Sequence, residues 1–375
     1  MTAAKLITHG GLVIGKSSVW NKGSCFTMNG KVLIEDAVGA FDELIGRFGE
    51  HAVASGGEVY IQPYVYLSTH VLEMRTAGWT DVDYDLVAAV SGASALFAYE
   101  PGRFEPKYAN LFIGMDKRIA DATGFGYEWV NPKDTEEGWR IIKETIDSGR
   151  PVKGWHWENL VFAGYQDAGE KGDRKVFAMA DGPGTFAKWW SWSEFTKWAK
   201  RFGGSFGRHT ERVPQVAAER VAQQVMEDLV EWAEKPPAAV QERYPEAAFG
   251  LMGIERYAAD CADLEKYEDW LACHDINPQW AVRNSTAVYL TQVAESSLFP
   301  EEVSKNTVEA AREYRAAYEE WKKLYELLGH GASEAERKTK ARREAGAAAV
   351  RRALQHEKSG LKQLKAALES IQESS

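Results

Sequence analysis

The sequence predicts an α+β domain followed by an all-helical one. Three observations carry that prediction. The hydrophobic period changes from about 3.6 to nearly 2 just after residue 150, holds for one short meander, and then returns to helix. Near residue 210 the composition shifts from dense glycines and aromatics to long alanine-, glutamate- and arginine-rich stretches. The chain has 375 residues with 45% hydrophobic and 12% aromatic content, enough for two or three domains at roughly 100–200 residues each and too apolar for global disorder. These place an α+β domain at 1–205, of which 1–60 reads as an N-terminal addition, and a helical domain at 212–375. The glycine-rich RFGGSFGRHTERVP at 201–214 is the expected linker.

The elements follow in order. KVLIEDAVGAFDELIGRF (31–48) has the apolar spacing of an amphipathic helix. Helices are expected at 65–78 and 115–124, each ended by Gly, and at 84–92. The helix at 135–149 has Thr135 as cap, Glu136 and Glu137 in its first turn and Gly149 as its stop. PVKGWHW (151–157), NLVFAGY (159–165) and KVFAMAD (175–181) read as three strands. A helix at 191–202, opened by Ser191 and Glu194, closes the first domain. Beyond it, prolines bound helices at 215–234, 246–273, 278–297, 300–328 and 334–372. From 331 to 375 there are ten Lys or Arg against six Glu, which reads as a solvated bundle face or, secondarily, an interaction surface.

Composition excludes some functions. No apolar run reaches the ~18 residues of a membrane helix, and the start of the chain lacks a signal-peptide pattern. Three cysteines, Cys25, Cys261 and Cys273, cannot build a disulfide framework and suit a reducing, cytoplasmic location. A formal net charge of −10 disfavours nucleic acid as the partner. The expected partner is a small-molecule or peptide substrate, with neither membrane nor cofactor. The amphipathic C-terminal helices suggest a homodimer.

Several residues could carry chemistry. Gly10 to Ser17 fits the phosphate-loop pattern G-x-x-x-x-G-K-[ST], but Leu12-Val13-Ile14 reads as strand and no helix follows Lys16, so nucleotide binding there is a minor alternative. Cys25 precedes an expected helix, whose dipole would stabilise a thiolate; the alternative is a buried, inert thiol. His156 and Glu158, two apart, would share one face of a strand, and Asp181 ends a neighbouring one. A carboxyl at 158 among tryptophans would be pushed toward its neutral form. Cys261, Cys273 and His274 fit no zinc spacing and read as packing. The tryptophans 189, 190, 192 and 198 read as a staple between helix and sheet, or as a stacking surface.

Taken together, residues 66–202 resemble papain-like proteins of the butirosin biosynthesis protein H and bacteriocin leader-peptidase type. The resemblance is carried by YDLVAAVSGASALFAY, ATGFGYEW, IDSGRPV, ENLVFAGYQD and KVFAMADG with its following Trp-Ser-x-x-Glu-Phe helix. In catalytic members a Cys opens the first helix, a His begins the strand that runs into Gly-Tyr, and an Asp or Asn ends the next strand. That chemistry is attack on an amide or thioester carbonyl through an acyl-enzyme. Asp181 falls at the orienting position, Glu158 at the His position, and His156 two residues before it. The matching first helix starts near Tyr66 and Ser68, without a Cys. The resemblance therefore implies one of two functions. Either Cys25, His156 and Asp181 form a triad for acyl transfer or hydrolysis, with Glu158 as a further acid/base; or the triad is lost and a cleft bearing Glu158, Trp155, Trp157, Tyr66 and Ser68 binds a small molecule or peptide.

Overall fold

In the computed structural model, residues 25–28, 31–35, 37–49, 53–55, 58–60, 65–79, 82–155, 160–167, 173–180, 186–274, 279–329 and 332–374 are described. The phosphate-loop match at 10–17, His156, Trp157, Glu158 and Asp181 lie outside them.

The first half, in chain order, is β1 (Cys25–Met28), β2 (Lys31–Ile34), α1 (Ala37–Gly49), β3 (Val53–Ser55), β4 (Glu58–Tyr60), α2 (Val65–Thr76), α3 (Tyr84–Val90), β5 (Ala98–Tyr99), a 3-10 segment (Glu105–Phe112), α4 (Met115–Thr123), β6 (Phe125–Val130), α5 (Thr135–Asp147), β7 (Val152–Gly154), β8 (Leu160–Gln166), β9 (Lys175–Ala180), β10 (Phe186–Ser191), α6 (Trp192–Phe202) and β11 (Phe206–Arg212). The second half is α7 (Ala218–Glu234), α8 (Ala238–Arg243), β12 (Ala248–Phe249), α9 (Gly250–Ala262), α10 (Tyr267–His274), α11 (Gln279–Glu295), α12 (Glu301–Leu328), α13 (Glu334–Arg337) and α14 (Lys340–Ser374). The protein is thus mixed α+β, with the sheet early and the helices late.

The main sheet is antiparallel in the order β1-β2-β8-β7-β11-β6, and β9 pairs with β8 and carries β10. One edge of β8 is shared: β7 pairs along Leu160–Phe162, and β2 pairs along Gly164–Gln166. Residue alternation sends neighbours to opposite faces. Phe162 and Phe206 meet Trp198 of α6 at ring-centroid distances of 5.2 and 5.6 Å. The residues next to β7's Gly154 and β11's Phe206 turn the other way, toward α2. Trp198 and Trp192 therefore act as the expected staple, Trp192 packing on Trp139 of α5 at 5.6 Å.

Four expectations change. Residues 31–34 are strand, and the helix begins at Ala37. The register Val32↔Tyr165 builds this part of 1–60 into the sheet. Cys25 consequently begins β1, opposite Ile34, and does not open a helix. The 201–214 linker contains β11, inserted between β7 and β6; the glycines at 203 and 204 end α6 with positive φ, and a strand follows. The cap of α5 is Asp134, whose side chain accepts from Glu137 N at 2.8 Å, and not Thr135. Elsewhere the expected breaks are finer: 246–273 divides into β12, α9 and α10, and 334–372 into α13 and α14.

The helical half packs against the first half. The larger of two apolar clusters among the described residues runs from Ile34 to Ile371. α11 lies against α3, where Ser285 Oγ donates to Asp85 Oδ1 at 2.8 Å, and β12 pairs with β5. Cys261 is buried between α9 and α14, as packing predicts. Cys273 and His274 end α10. Among the described residues no helix is long and apolar enough to cross a membrane.

Candidate functional site

Helix α2 breaks the amphipathic rule. From Tyr66 to Met74 every residue is buried, including Ser68, Thr69, His70 and Glu73. His70 and Glu73 are three apart, so they share a face, and that face meets the sheet. Opposite stands the pair His209 on β11 and Tyr127 on β6, directly cross-strand. The next row holds Gly207 of β11, flanked by Lys153 on β7 and Trp129 on β6. Gly207 has a steric reason: a Cβ there would lie 1.7 Å from the Tyr127 hydroxyl. The missing side chain lets the phenol lie across β11, within 4.8 Å ring-to-ring of both His70 and His209.

Asp116, in the first turn of α4, ties the chamber together. Its carboxylate accepts from Tyr66 Oη at 2.6 Å, from Trp129 Nε1 at 2.9 Å and pairs with His70 Nε2 at 2.9 Å. Burial pushes this carboxyl up, but the His70 bond, the His70 and Lys153 charges and the Tyr66 hydroxyl outweigh burial and hold it well below the usual range. An ionised carboxylate can only accept. His70 therefore carries its hydrogen on Nε2, and Nδ1 keeps a lone pair. Burial, reinforced by Lys153, lowers the His70 imidazole to about 4, so at neutral pH the contact is a hydrogen bond from a neutral ring. Fully buried Lys153 lies over the Tyr66 ring, its Nζ 3.5 Å from the centroid, and donates to Tyr66 O at 3.2 Å.

Glu73 is the least provided for. Its Oε2 is 3.6 Å from His70 Nδ1 and 3.6 Å from His209 Nε2. Neither distance is a hydrogen bond. Both Glu73 oxygens, His70 Nδ1 and the Tyr127 hydroxyl are buried without a hydrogen-bond partner, and the His209 ring has only a weak contact with the Gly126 backbone. Burial drives Glu73 well up despite nearby Lys153, drives His209 well down with help from His70 and Lys153, and drives Tyr127 up. Burial thus pushes the carboxyl and the two imidazoles of the chamber toward their neutral forms, while the Lys153 charge favours ionised Asp116. Donor atoms of His70, Glu73 and His209 all lie within 4.8 Å of one another, a grouping able to hold a cation or a small polar ligand.

Of the residues expected at the site, Tyr66 and Ser68 are buried in α2, and Tyr66 belongs to the chamber through Asp116. Trp155 is exposed and edges onto Trp129 at 6.5 Å. Cys25 is on β1, four strands along the sheet order from β11. The centre that is found rests on His70, Glu73, Asp116, Tyr127, Lys153 and His209, none of which the motifs indicated. Two signals were available: His70 and Glu73 three apart among Leu67, Val71, Leu72 and Met74, and a lysine within an expected strand. No protein-family model matches the chain, and no curated protein matches it either.

Proposed function

We propose that this chain is a papain-like scaffold that binds a small polar ligand in the chamber between α2, α4 and strands β6, β11 and β7, and that this chamber is its working centre in place of a cysteine triad. The observation that carries the reading is the cluster of four unpaired buried polar atoms on three side chains, both Glu73 oxygens, His70 Nδ1 and the Tyr127 hydroxyl, beside the buried and poorly bonded His209 ring. An unpaired buried donor or acceptor costs about 1–3 kcal/mol. A fold that tolerates several together is one whose partner arrives from outside.

Element order supports the scaffold. The helix aligned with the family's first is α2, the strand running into Gly164 and Tyr165 is β8, and β9 follows and ends immediately before Asp181. α2 opens at Val65 and Tyr66 without a cysteine. Cys25 begins a strand, so the helix dipole that was to activate its sulfur does not start there.

Native mass spectrometry of the full chain tests the reading. The wild type is expected to carry a small adduct that denaturation releases and that Glu73→Gln lacks. Glu73→Leu in ligand-free protein is expected to raise Tm, because it removes an unpaired buried carboxyl. An adduct-free chain whose Tm falls on Glu73→Leu overturns the proposal, since the carboxyl would then be serving the fold.

A further inference from the structure

Resting on that reading, we infer that the ligand is a divalent cation of the zinc or iron(II) class, held by His70 Nδ1, the Glu73 carboxylate and His209 Nε2. Three observations converge. The first is donor direction. Asp116 takes the His70 Nε2 hydrogen at 2.9 Å, which leaves the Nδ1 lone pair facing Glu73. A carboxylate that fixes the far nitrogen of a ligating histidine is the usual outer partner in metal sites.

The second is spacing. Ligands about 2.1 Å from a tetrahedral metal are separated by about 3.4 Å, and Glu73 Oε2 stands 3.6 Å from each imidazole nitrogen. That gap is too long for a hydrogen bond and close to the spacing around a shared ion. The donor atoms of the two histidines lie within the 4.8 Å span of the group, so a small inward movement of the rings completes the triad. The third is chemical type. Two imidazoles and one carboxylate form the donor set of catalytic zinc and of non-haem iron(II).

Charge then constrains the rest of the coordination. Asp116 and Lys153 offset one another, and an ionised Glu73 offsets one of the two positive charges of the ion. A buried net charge is expensive unless paired, so the chamber selects an anionic exogenous ligand, hydroxide or a carboxylate. The Tyr127 hydroxyl, beside His209 and without an acceptor, is the donor available to it. Tyr127 is in this sense a positioning residue for the exogenous ligand.

The experiment uses the full-length chain. Metal content of the purified protein is measured by plasma mass spectrometry for zinc and iron, and the chelator-treated protein is titrated with Co2+ while its visible ligand-field bands are followed. One Co2+ per chain with nitrogen/oxygen-type bands is expected. Asp116→Asn is expected to weaken Co2+ binding by about 10–100-fold and to shift the bands, as loss of an outer partner does. Glu73→Gln weakens it at least as much. If Glu73→Gln does not fold, His209→Asn supplies the same comparison. Sulfur-to-cobalt charge-transfer bands would put the metal on cysteine and overturn the inference. Wild-type protein that takes up no Co2+ but carries an organic adduct overturns the metal while leaving the ligand chamber standing. Protein with neither removes both.

Discussion

Gly207 and Tyr127 occupy the same space: the Cβ that Gly207 lacks would sit 1.7 Å from the phenol oxygen and 2.5 Å from Cζ. The chamber exists because this strand position has no side chain. Gly207→Ala is therefore expected to cost about 1–3 kcal/mol by overpacking, read by denaturant unfolding. Adding Tyr127→Ala should recover part of that loss, a non-additivity that two independent sites would not show.

In the helical half, Arg283 and Glu357 form a buried two-pronged pair, with Nε–Oε1 at 3.0 Å and Nη2–Oε2 at 2.9 Å, and Trp321 Nε1 also donates to Glu357 at 3.0 Å. Glu357→Leu removes the carboxylate from a buried guanidinium and should destabilise by about 3–5 kcal/mol, whereas the double change Arg283→Met with Glu357→Leu should cost only about 1–3 kcal/mol, from the Trp321 N–H left without its acceptor. Equal losses in the single and double variants would contradict this account.

Cys261 gives a pH dependence. Burial pushes its thiol up to about 12, against the opposing charges of Arg343 and Arg351. The folded value lies above the ordinary 9.0, so the fold favours the protonated form. That contribution is fully present below pH 9 and is lost as pH rises toward 12. At pH 8, iodoacetamide should label Cys261 only as fast as the protein opens, and mass spectrometry of labelled peptides would show it. Labelling that matches a free thiol in native buffer would be the contrary result.

Cys25→Ala should leave the bound adduct unchanged. Loss of adduct or of any turnover in this variant would return the thiol mechanism, with His156 and Asp181, to first place.

How much of this was legible in the sequence follows from what each residue does locally. α5 is legible from its acidic first turn and terminal glycine, though its cap lies one residue before Thr135, and α6 from its Ser191–Glu194 cap, because such signals act within one or two turns of the chain. β8 and β9 were readable from their apolar runs. β11 was not: FGRHTER has no apolar alternation, and it is a strand only because β6 and β7 flank it with open hydrogen-bonding edges. His209 was lost with it. Residues 31–34 were absorbed into a helical period because Val32 and Leu33 fit either reading, and pairing with β8 decides for strand. His70 and Glu73 sit in a correctly placed helix, yet their burial depends on what packs over α2, which no local pattern reports.

The order in which the chain is made now acquires a meaning. His209 is the last of the six centre residues in chain order, and it lies four residues beyond the apparent boundary at 205. A chain cut there would lose all seven residues of β11, and with them the strand that joins β7 to β6 and one of the three proposed ligands.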